Sequence, residues 1–199
     1  MSAGPRDRQQ VALTFHVSGD AGLVARLLDL LHADQVPITA FMVGTWLDAN
    51  RNLGMRFVNE GHEVANHTYT HPSFPTLSRD AMVNEVTGCR DAIRRLTGNA
   101  GRYFRPSGTA NGTDEPAPAV FDAAAAGGYP IIVGYDVDPA DYDDPGAAAV
   151  SKRTIDAMQA GSIVSLHFGH AGTIQALPSI LAAVRQRGLV PVTMTSLLA

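Results

Sequence analysis

The sequence predicts an α/β fold, a small, distorted or incomplete (β/α) barrel with about seven parallel strands. Strand-like and helix-like segments alternate along the whole chain, and short connections join them. No shift in composition marks a second domain, so residues 11–199 are expected to form a single domain. Residues 1–10 are polar and are expected to form a flexible N-terminal segment.

The composition is that of an ordinary globular protein. Of the 199 residues, 45% are apolar and 17% are charged, and the formal net charge is -4. We expect no nucleic-acid partner, because the sequence has no Lys/Arg cluster. We expect no transmembrane segment, because no apolar run reaches the ~18 residues that span a bilayer. Cys89 is the single cysteine, which excludes an internal disulfide, and its apolar helical stripe predicts a buried thiol.

The sequence at the start of the chain does not show whether the protein is cytosolic or exported. Residues 1–10 contain no hydrophobic signal core, which leaves open both a cytosolic start and the trimmed start of an exported protein. We expect a monomer.

The strands are predicted from short apolar runs that stop at turn-forming residues. The first run begins at Val11 and ends in the turn-like stretch 16–20, and the second follows Pro37 and stops at Gly44. The predicted strands cover residues 11–15, 38–43, 62–65, 102–104, 130–135, 162–166 and 189–193.

The helices are predicted from apolar residues at helical spacing. Leu23, Leu27 and Leu31 form one such stripe, and another follows Ser78, which is a suitable N-cap, and ends before Gly98. The predicted helices cover about residues 21–32, 46–59, 79–97, 120–126, 146–160 and 174–186.

Ionisable side chains follow five of the predicted strands at the point where each strand ends. In parallel α/β barrels these carboxyl ends meet at the mouth, where ligands and catalytic groups collect. Five separate segments are therefore expected to bring ionisable groups to one rim. These residues are His16, His67, Arg105, Asp136 or Asp138, and His167.

Two histidines four residues apart, His67 and His71, indicate a metal site. A folded chain gains little from packing two imidazoles together, whereas imidazole nitrogen is a good ligand for zinc and its neighbours. Catalytic zinc sites typically have three protein ligands and one open position. Asp20 is the only acid in the loop after the first strand and is expected to be the third ligand. Its alternative role is the N-cap of the following helix.

Over nearly its whole length the chain resembles the polysaccharide deacetylases of carbohydrate esterase family four. Residues 60–72 (EGHEVANHTYTHP) are similar to the metal-binding motif of that family, and this match is the most specific. Residues 104–108 (FRPSG) are similar to its arginine motif, and residues 138–142 (DPADY) match its Asp-x-x-Asp-Trp motif with tyrosine for tryptophan. Residues 161–167 (GSIVSLH) are similar to the last motif, which carries a catalytic histidine.

The first motif departs from the family pattern. The family usually has Thr-Phe-Asp-Asp-Gly, in which the first aspartate is the general base and the second binds the metal, whereas residues 14–20 read TFHVSGD. His16 stands in the position of the base, Val17 cannot bind a metal, and the next acid is Asp20. Three roles for His16 stay open: general base, additional metal ligand, or hydrogen-bond partner of a metal-bound water.

The resemblance implies a single catalytic domain that removes acetyl groups from a carbohydrate in a metal-dependent hydrolysis. The expected substrate is an N-acetylglucosamine polymer such as a chitin oligomer or peptidoglycan, and acetyl esters are a further expected class. The implied metal is zinc, with cobalt, nickel or manganese as alternatives. Family members are often exported, so the resemblance implies an extracellular or cell-envelope protein.

The resemblance also assigns roles to individual residues. His167 is expected to be the general acid, with Asp138 accepting a hydrogen bond from its second ring nitrogen, and Arg105 is expected to orient its partner in the first loop. The full implied set is catalytic His16, His167, Asp138 and Arg105; substrate-binding Tyr142, Ser107 and Leu166; and metal-binding Asp20, His67 and His71.

Two other functional classes stay open at this point. A catalytically impaired glycan-binding protein on the same scaffold would explain the altered first motif. An acetylxylan esterase, or a related amidase that acts on a small cyclic or linear C–N substrate, would use a similar site. The remaining histidines His32, His62 and His170 are expected to be structural.

Overall fold

The computed structural model describes residues 1–109 and 112–199, and its centre is a sheet of seven strands. The strands are β1 (Gln10–Val17), β2 (Thr39–Met42), β3 (Glu63–Asn66), β4 (Tyr103–Phe104), β5 (Ile131–Ile132), β6 (Ile163–His167) and β7 (Val190–Pro191). The hydrogen-bonded order is β5-β4-β3-β2-β1-β6, with β7 paired to β1, and the strand pairings are parallel. The predicted α/β fold with an incomplete barrel is confirmed.

Helices cover the outside of the curled sheet. Those of the described residues are α1 (Ala21–Ala33), α2 (Gly44–Ala49), α3 (Arg51–Asn59), α4 (Arg79–Thr97), α5 (Pro118–Ala126), α6 (Ala147–Ala157), α7 (Ala171–Gln186) and α8 (Met194–Leu197). Ser78 caps α4 as predicted, since its side chain accepts a hydrogen bond from the Ala81 N–H. Within the described ranges, no helix has the length and apolar content needed to cross a membrane.

Both faces of β1 are buried, as expected for a parallel sheet with helices on the outside. Leu13, Phe15 and Val17 belong to the main core, together with apolar side chains of α1 and α7. Successive residues of a strand point to opposite faces, so His16 points away from this core. His16 therefore lies on the concave side of the sheet.

The register of the strands brings the predicted functional residues together. In the pairing of β1 with β6, His16 lies opposite His167. In the pairing of β3 with β4, Asn66 lies opposite Phe104, so His67 and Arg105 follow neighbouring strands at the same edge. The carboxyl ends of β1, β3, β4 and β6 thus form one rim.

The helix predicted over residues 46–59 is two helices, because the chain turns at Asn50. Asn50 has φ -125° and ψ 42°, and its side-chain Nδ2 donates to the Trp46 carbonyl at 2.9 Å. Asparagine competes with the backbone for such hydrogen bonds, which is why it disfavours helix interiors.

The start of the chain, expected to be flexible, packs against the sheet. Ala3 forms an antiparallel bridge with Ser162, and the Gly4 N–H donates to the Gly161 carbonyl at 2.8 Å. The Arg6 guanidinium forms a 2.8 Å ion pair with Asp136. These contacts lie between the two ends of the strand order, near β5 and β6.

Candidate active site

The loop that carries the two histidines is held in an unusual backbone conformation. Thr68 has φ 69° and His71 has φ 62°, both in the left-handed region that a β-branched residue rarely adopts. The buried Asn66 side chain accepts from the Thr68 N–H at 2.9 Å and donates to the Val86 carbonyl at 2.9 Å. Glu85 accepts from the Tyr69 and Thr70 N–H groups at 2.8 Å each. The conformation of this loop is therefore fixed by side chains from β3 and α4.

His67 is buried and keeps one ring nitrogen unused. Its Nδ1 donates to the Arg105 carbonyl at 2.9 Å, while its Nε2 is buried and has no hydrogen-bond partner among the described residues. Burial, and then the neighbouring His71, hold the pKa of His67 well below its usual value, so the ring is neutral near pH 7. The rings of His67 and His71 lie 5.0 Å apart between centroids. A neutral imidazole with a free nitrogen suits metal binding or proton acceptance.

Arg105 is fully buried and organises the centre of the site. Its guanidinium donates to backbone carbonyls of residues 133 and 134, to Thr14 Oγ1 at 3.0 Å and to His16 Nε2 at 2.9 Å. It also stacks over the Phe41 ring, 4.0 Å from the centroid. Burial lowers its pKa to about 9. Arg105, which is expected to orient a partner in the first loop, contacts His16 near the end of β1.

Both ring nitrogens of His16 are engaged. A guanidinium can only donate, so His16 Nε2 accepts from Arg105 and Nδ1 carries the ring hydrogen. This Nδ1–H points to His167 Nε2 at 2.8 Å. Burial, and then the stacked His67 ring 4.2 Å away, hold the pKa of His16 well below its usual value. In this arrangement His16 orients its neighbours and has no free nitrogen with which to act as a base.

His167 is paired with Asp141, and the prediction of Asp138 as its partner is wrong. His167 Nδ1 lies 2.7 Å from Asp141 Oδ1, and Asp141 Oδ2 accepts from the His167 N–H and from Thr173 Oγ1. Asp138 instead accepts from the Ala140 N–H at 2.8 Å and is the main cause of the raised pKa of Tyr142. Both aspartates lie in the same sequence motif, and the backbone between them decides which one faces the histidine.

A hydrogen-bonded chain therefore runs through the site. Arg105 donates to His16, His16 donates to His167, and His167 donates to Asp141. In this order the lone pair of His167 Nε2 accepts from the Nδ1–H of His16, so this nitrogen is occupied and has no hydrogen to give. The role of general acid expected for His167 does not fit this resting arrangement.

A further histidine, His170, was expected to be structural, but it lies beside this chain. Its ring centroid is 6.0 Å from that of His167, and its Nδ1 is 2.8 Å from Asp144 Oδ1. The sequence signal that could have indicated it is the spacing of the two aspartates, which equals the spacing of the two histidines.

An open cavity of ≈ 620 Å³ adjoins the site. Such a volume lies within the range of known ligand pockets. Its lining includes Arg105, Pro106, Thr109, Phe121 and Tyr135. Arg105 links this cavity to the histidine cluster, whose imidazoles are not part of the cavity lining.

Comparison with known proteins identifies the family. The family model described as polysaccharide deacetylase matches residues 3–124, which is more than half of the chain. The chain belongs to the polysaccharide deacetylase family. A peptidoglycan-N-acetylglucosamine deacetylase of Bacillus cereus is 28% identical over 199 residues, which cover 98% of this chain and 70% of that protein. A chitooligosaccharide deacetylase of Rhizobium leguminosarum bv. phaseoli is 31% identical over 205 residues, covering 94% of this chain and 87% of that protein.

Solved structures of the same family superpose closely. A crystal structure of the peptidoglycan N-acetylglucosamine deacetylase Bc1960 has a TM-score of 0.89 at 26% identity, with 99% of this chain and 91% of that chain covered. BA3943 of Bacillus anthracis, described as a CE4 family pseudoenzyme, has a TM-score of 0.90 at 26% identity, with 100% of this chain and 68% of that chain covered. Similarity of fold in this family therefore extends to proteins without activity.

The predicted three-residue metal set of this deacetylase-family chain is not formed. Asp20 is exposed and caps α1, accepting from the Leu23 N–H at 2.9 Å, and Val17 packs in the core. In residues 1–109 and 112–199, no group of three or more His, Cys, Asp or Glu side chains is arranged to hold a metal ion. The unused Nε2 of His67, with Nδ1 fixed by a carbonyl, fits a ligating imidazole. The described residues thus offer His67 and His71 as two ligands, and among them no third protein ligand joins the pair.

Of the three expected substrate-binding residues, only Tyr142 is accessible, with 46% of its surface exposed. Leu166 is fully buried in the main core, so it cannot touch a substrate. Ser107 is also fully buried, and its hydroxyl donates to the Pro72 carbonyl at 2.6 Å and accepts from Thr68 Oγ1. Ser107 therefore supports the histidine loop, and the expected substrate contacts of Ser107 and Leu166 are wrong.

Proposed function

We propose that this protein hydrolyses the acetamide of an N-acetylglucosamine-containing glycan, giving acetate and a free amine on the sugar. The observation that carries the proposal is the hydrogen-bonded chain from Arg105 to Asp141, which lies beside the unused nitrogen of His67. Burial holds the pKa values of His16 and His67 well below the usual value, and their hydrogen bonds fix the tautomer of each ring.

The relatives and the shape of the site both support this substrate class. The two curated relatives are named for peptidoglycan N-acetylglucosamine and for chitooligosaccharides, and both substrates contain N-acetylated glucosamine. The exposed ring of Tyr142 lies 5.3 Å from that of His167 and offers an apolar face to a sugar. The adjoining cavity offers space for neighbouring sugar units. Because such glycans are outside the cell, the proposal places the protein in the cell envelope or beyond it.

A divalent metal ion, with zinc as first choice, belongs to the proposal. His67 and His71 would hold it, and when bound it would polarise the acetyl carbonyl and activate a water molecule. The protein's own residues supply the remaining functions. Arg105 fixes the orientation of His16, His16 fixes that of His167, and Asp141 holds the second ring nitrogen of His167.

A second function is favoured by the departures in the first motif. Val17 lies in the core, Asp20 caps a helix, and both nitrogens of His16 are used within the protein. A site with these features would bind an acetylated glycan without turning it over. The glycan-binding function predicts affinity for the oligosaccharide that a chelator does not change.

Acetate release from chitin oligomers, peptidoglycan and acetylated xylan separates the two functions. We expect the zinc-loaded protein to release acetate from N-acetylglucosamine tetramers. The H67Q and H71Q variants should lose on the order of 100-fold in rate, because each removes one of the two metal ligands. A chelator should abolish the activity and added zinc should restore it. H32Q is the matched control, since the His32 side chain is 72% exposed and lies on α1.

Two outcomes would contradict this proposal in different ways. Binding of the tetramer in calorimetry without acetate release would establish the glycan-binding function instead. Acetate release that a chelator leaves unchanged would remove the metal from the proposal.

A further inference from the structure

Tyr69 stands in the chain between His67 and His71, and its ring fills a narrow space between helices α2 and α4. Gly44 of α2 and Gly88 of α4 make room for this ring. A Cβ atom at Gly44 would lie 2.3 Å from Tyr69 Cδ2, and a Cβ atom at Gly88 would lie 3.2 Å from Tyr69 Cγ. Both distances are shorter than those of most Cβ contacts in proteins. The absence of a side chain at the two glycines therefore allows the ring to enter.

The hydroxyl of Tyr69 is bound to the same two helices. It donates to Asp48 Oδ2 at 3.2 Å, and Asp48 is a residue of α2. Arg95 of α4 donates to both carboxylate oxygens of Asp48, at 2.9 and 3.0 Å. Hydrogen bonds between charged groups are stronger than those between neutral groups, so the acceptor of the Tyr69 hydroxyl is itself held in place.

The backbone around Tyr69 is also bound to α2 and α4. The Gly44 N–H donates to the Thr68 carbonyl at 3.0 Å, and the Thr45 N–H donates to the Tyr69 carbonyl at 2.8 Å. The first amides of a helix have no partner within that helix, so these two are available to the loop. The Tyr69 N–H donates to Glu85 of α4 at 2.8 Å. The N–H, the carbonyl and the hydroxyl of Tyr69 thus each have a partner on one of the two helices.

We propose that Tyr69 is a positioning residue, whose ring sets the relative placement of His67 and His71 as metal ligands. This inference rests on the metal dependence in the proposed function. The rings of the two histidines lie 5.0 Å apart between centroids, and Tyr69 is the middle residue of the segment that joins them. Metal sites tolerate deviations of only about 0.2 Å in their ligand distances. A displacement of Tyr69 by a few tenths of an ångström should therefore weaken metal binding.

The G88A variant produces such a displacement, because its Cβ atom at 3.2 Å requires the Tyr69 ring to move by a few tenths of an ångström. We expect its zinc affinity, measured by competition with a chromogenic chelator, to fall about tenfold or more. The free energy of unfolding of metal-free G88A in urea should stay close to that of the wild type, since alanine favours a helix more than glycine does. G172A in α7 is the matched control. Its Cβ would meet its nearest atoms at an ordinary 3.6 Å, so zinc affinity should not change.

Substitutions of Tyr69 itself complete a double-mutant cycle. Y69A removes the ring and should lower zinc affinity by about 10- to 100-fold. Y69F keeps the ring in its space and loses one hydrogen bond, so its loss should be smaller. In the double variant Y69A/G88A the added Cβ atom no longer meets a ring, so G88A should cause no further loss of affinity.

The possible results separate this inference from the proposed function. A wild-type protein that binds no zinc overturns the metal dependence of the proposed function and, with it, the role of Tyr69. A wild-type protein that binds zinc, with G88A and Y69A at the wild-type affinity, overturns only the role of Tyr69. An equal effect of G88A with and without the Tyr69 ring also overturns it, because the effect would then not act through that ring.

Discussion

At the scale of single residues, the Arg105 guanidinium determines the direction of the hydrogen bonds that join His16, His167 and Asp141. Arg105 cannot accept a hydrogen bond, so its contact with His16 Nε2 determines which nitrogen of His16 carries the hydrogen. His16 Nδ1–H therefore donates to His167 Nε2 at 2.8 Å, and His167 Nδ1–H donates to Asp141. His16, which stands where the family usually has an acidic residue, is thus part of a connected network in which each donor and acceptor is defined.

The two aspartates of the 138–142 motif should respond differently to the same substitution. D141N removes the carboxylate that holds His167 Nδ1–H, so we expect kcat on the N-acetylglucosamine tetramer to fall by about 10²–10⁴. D138N should change kcat by less than about threefold, because Asp138 contacts the Ala140 N–H and not the histidine. Steady-state kinetics, with circular dichroism to check folding, give the comparison. A loss in D138N as large as that in D141N would refute the pairing described above.

At the scale of elements, the histidine loop depends on helix α4. Glu85 accepts from the Tyr69 and Thr70 N–H groups and from Thr70 Oγ1, which lies 2.7 Å away. The loop itself contains the left-handed residues Thr68 and His71. Glu85 therefore compensates a conformation that the loop would not keep alone, and it acts as a positioning residue for His71.

Removal of this carboxylate should loosen the loop before it unfolds the protein. We expect E85A to raise the amide hydrogen exchange of Tyr69 and Thr70 by about tenfold or more, since net contributions of ~1.5–3 kcal/mol are typical of hydrogen bonds to charged groups. E85Q keeps one acceptor oxygen and should be intermediate. Zinc affinity should fall in the same order. D91A on the same helix is the control, because Asp91 pairs with Arg90 and does not contact the loop. Unchanged exchange in E85A would show that Glu85 is not needed to hold the loop.

At the scale of the whole molecule, the buried His62 links stability to pH. Burial lowers the pKa of His62 to about 4, and both of its ring nitrogens are buried without hydrogen-bond partners. The unfolded chain has the ordinary value of ~6.5, so between these two values the unfolded state binds more protons. The contribution of His62 to the free energy of unfolding should therefore be fully present above pH 6.5 and fall as the pH drops towards 4, by about 3 kcal/mol at most.

Urea unfolding of wild type, H62L and H32L at pH 7 and at pH 4.5 measures this effect. The H62L variant should lose less stability than the wild type between the two pH values, because it removes the group that takes up the proton. H32L should behave like the wild type, since its imidazole is exposed. An H62L variant with the full wild-type dependence would show that other groups cause the loss.

The fold was accessible from sequence because its determinants are local and periodic. The apolar runs and helical stripes predict the order of the elements, and the strand ends predict that His16, His67, Arg105 and His167 meet. The choice between Asp138 and Asp141 was not accessible, because it depends on two left-handed residues in the turn, neither of which is glycine. Asp20 was misassigned for a related reason, since a helix cap and a metal ligand require the same carboxylate. The substrate contacts expected for Ser107 and Leu166 are wrong because the position of a residue in a motif does not show whether its side chain is buried.

The two histidine–aspartate pairs have the same sequence separation, which gives a pattern for comparing other sequences. Asp-x-x-Asp followed by His-x-x-His, with 26 positions from each acid to its partner, is a pattern that can be searched in sequences with no structure. A chain that carries only the first acid and the first histidine would have the buried pair alone. Homologues can be sorted by this pattern. Assays of one homologue from each class would show whether the second histidine–aspartate pair affects activity.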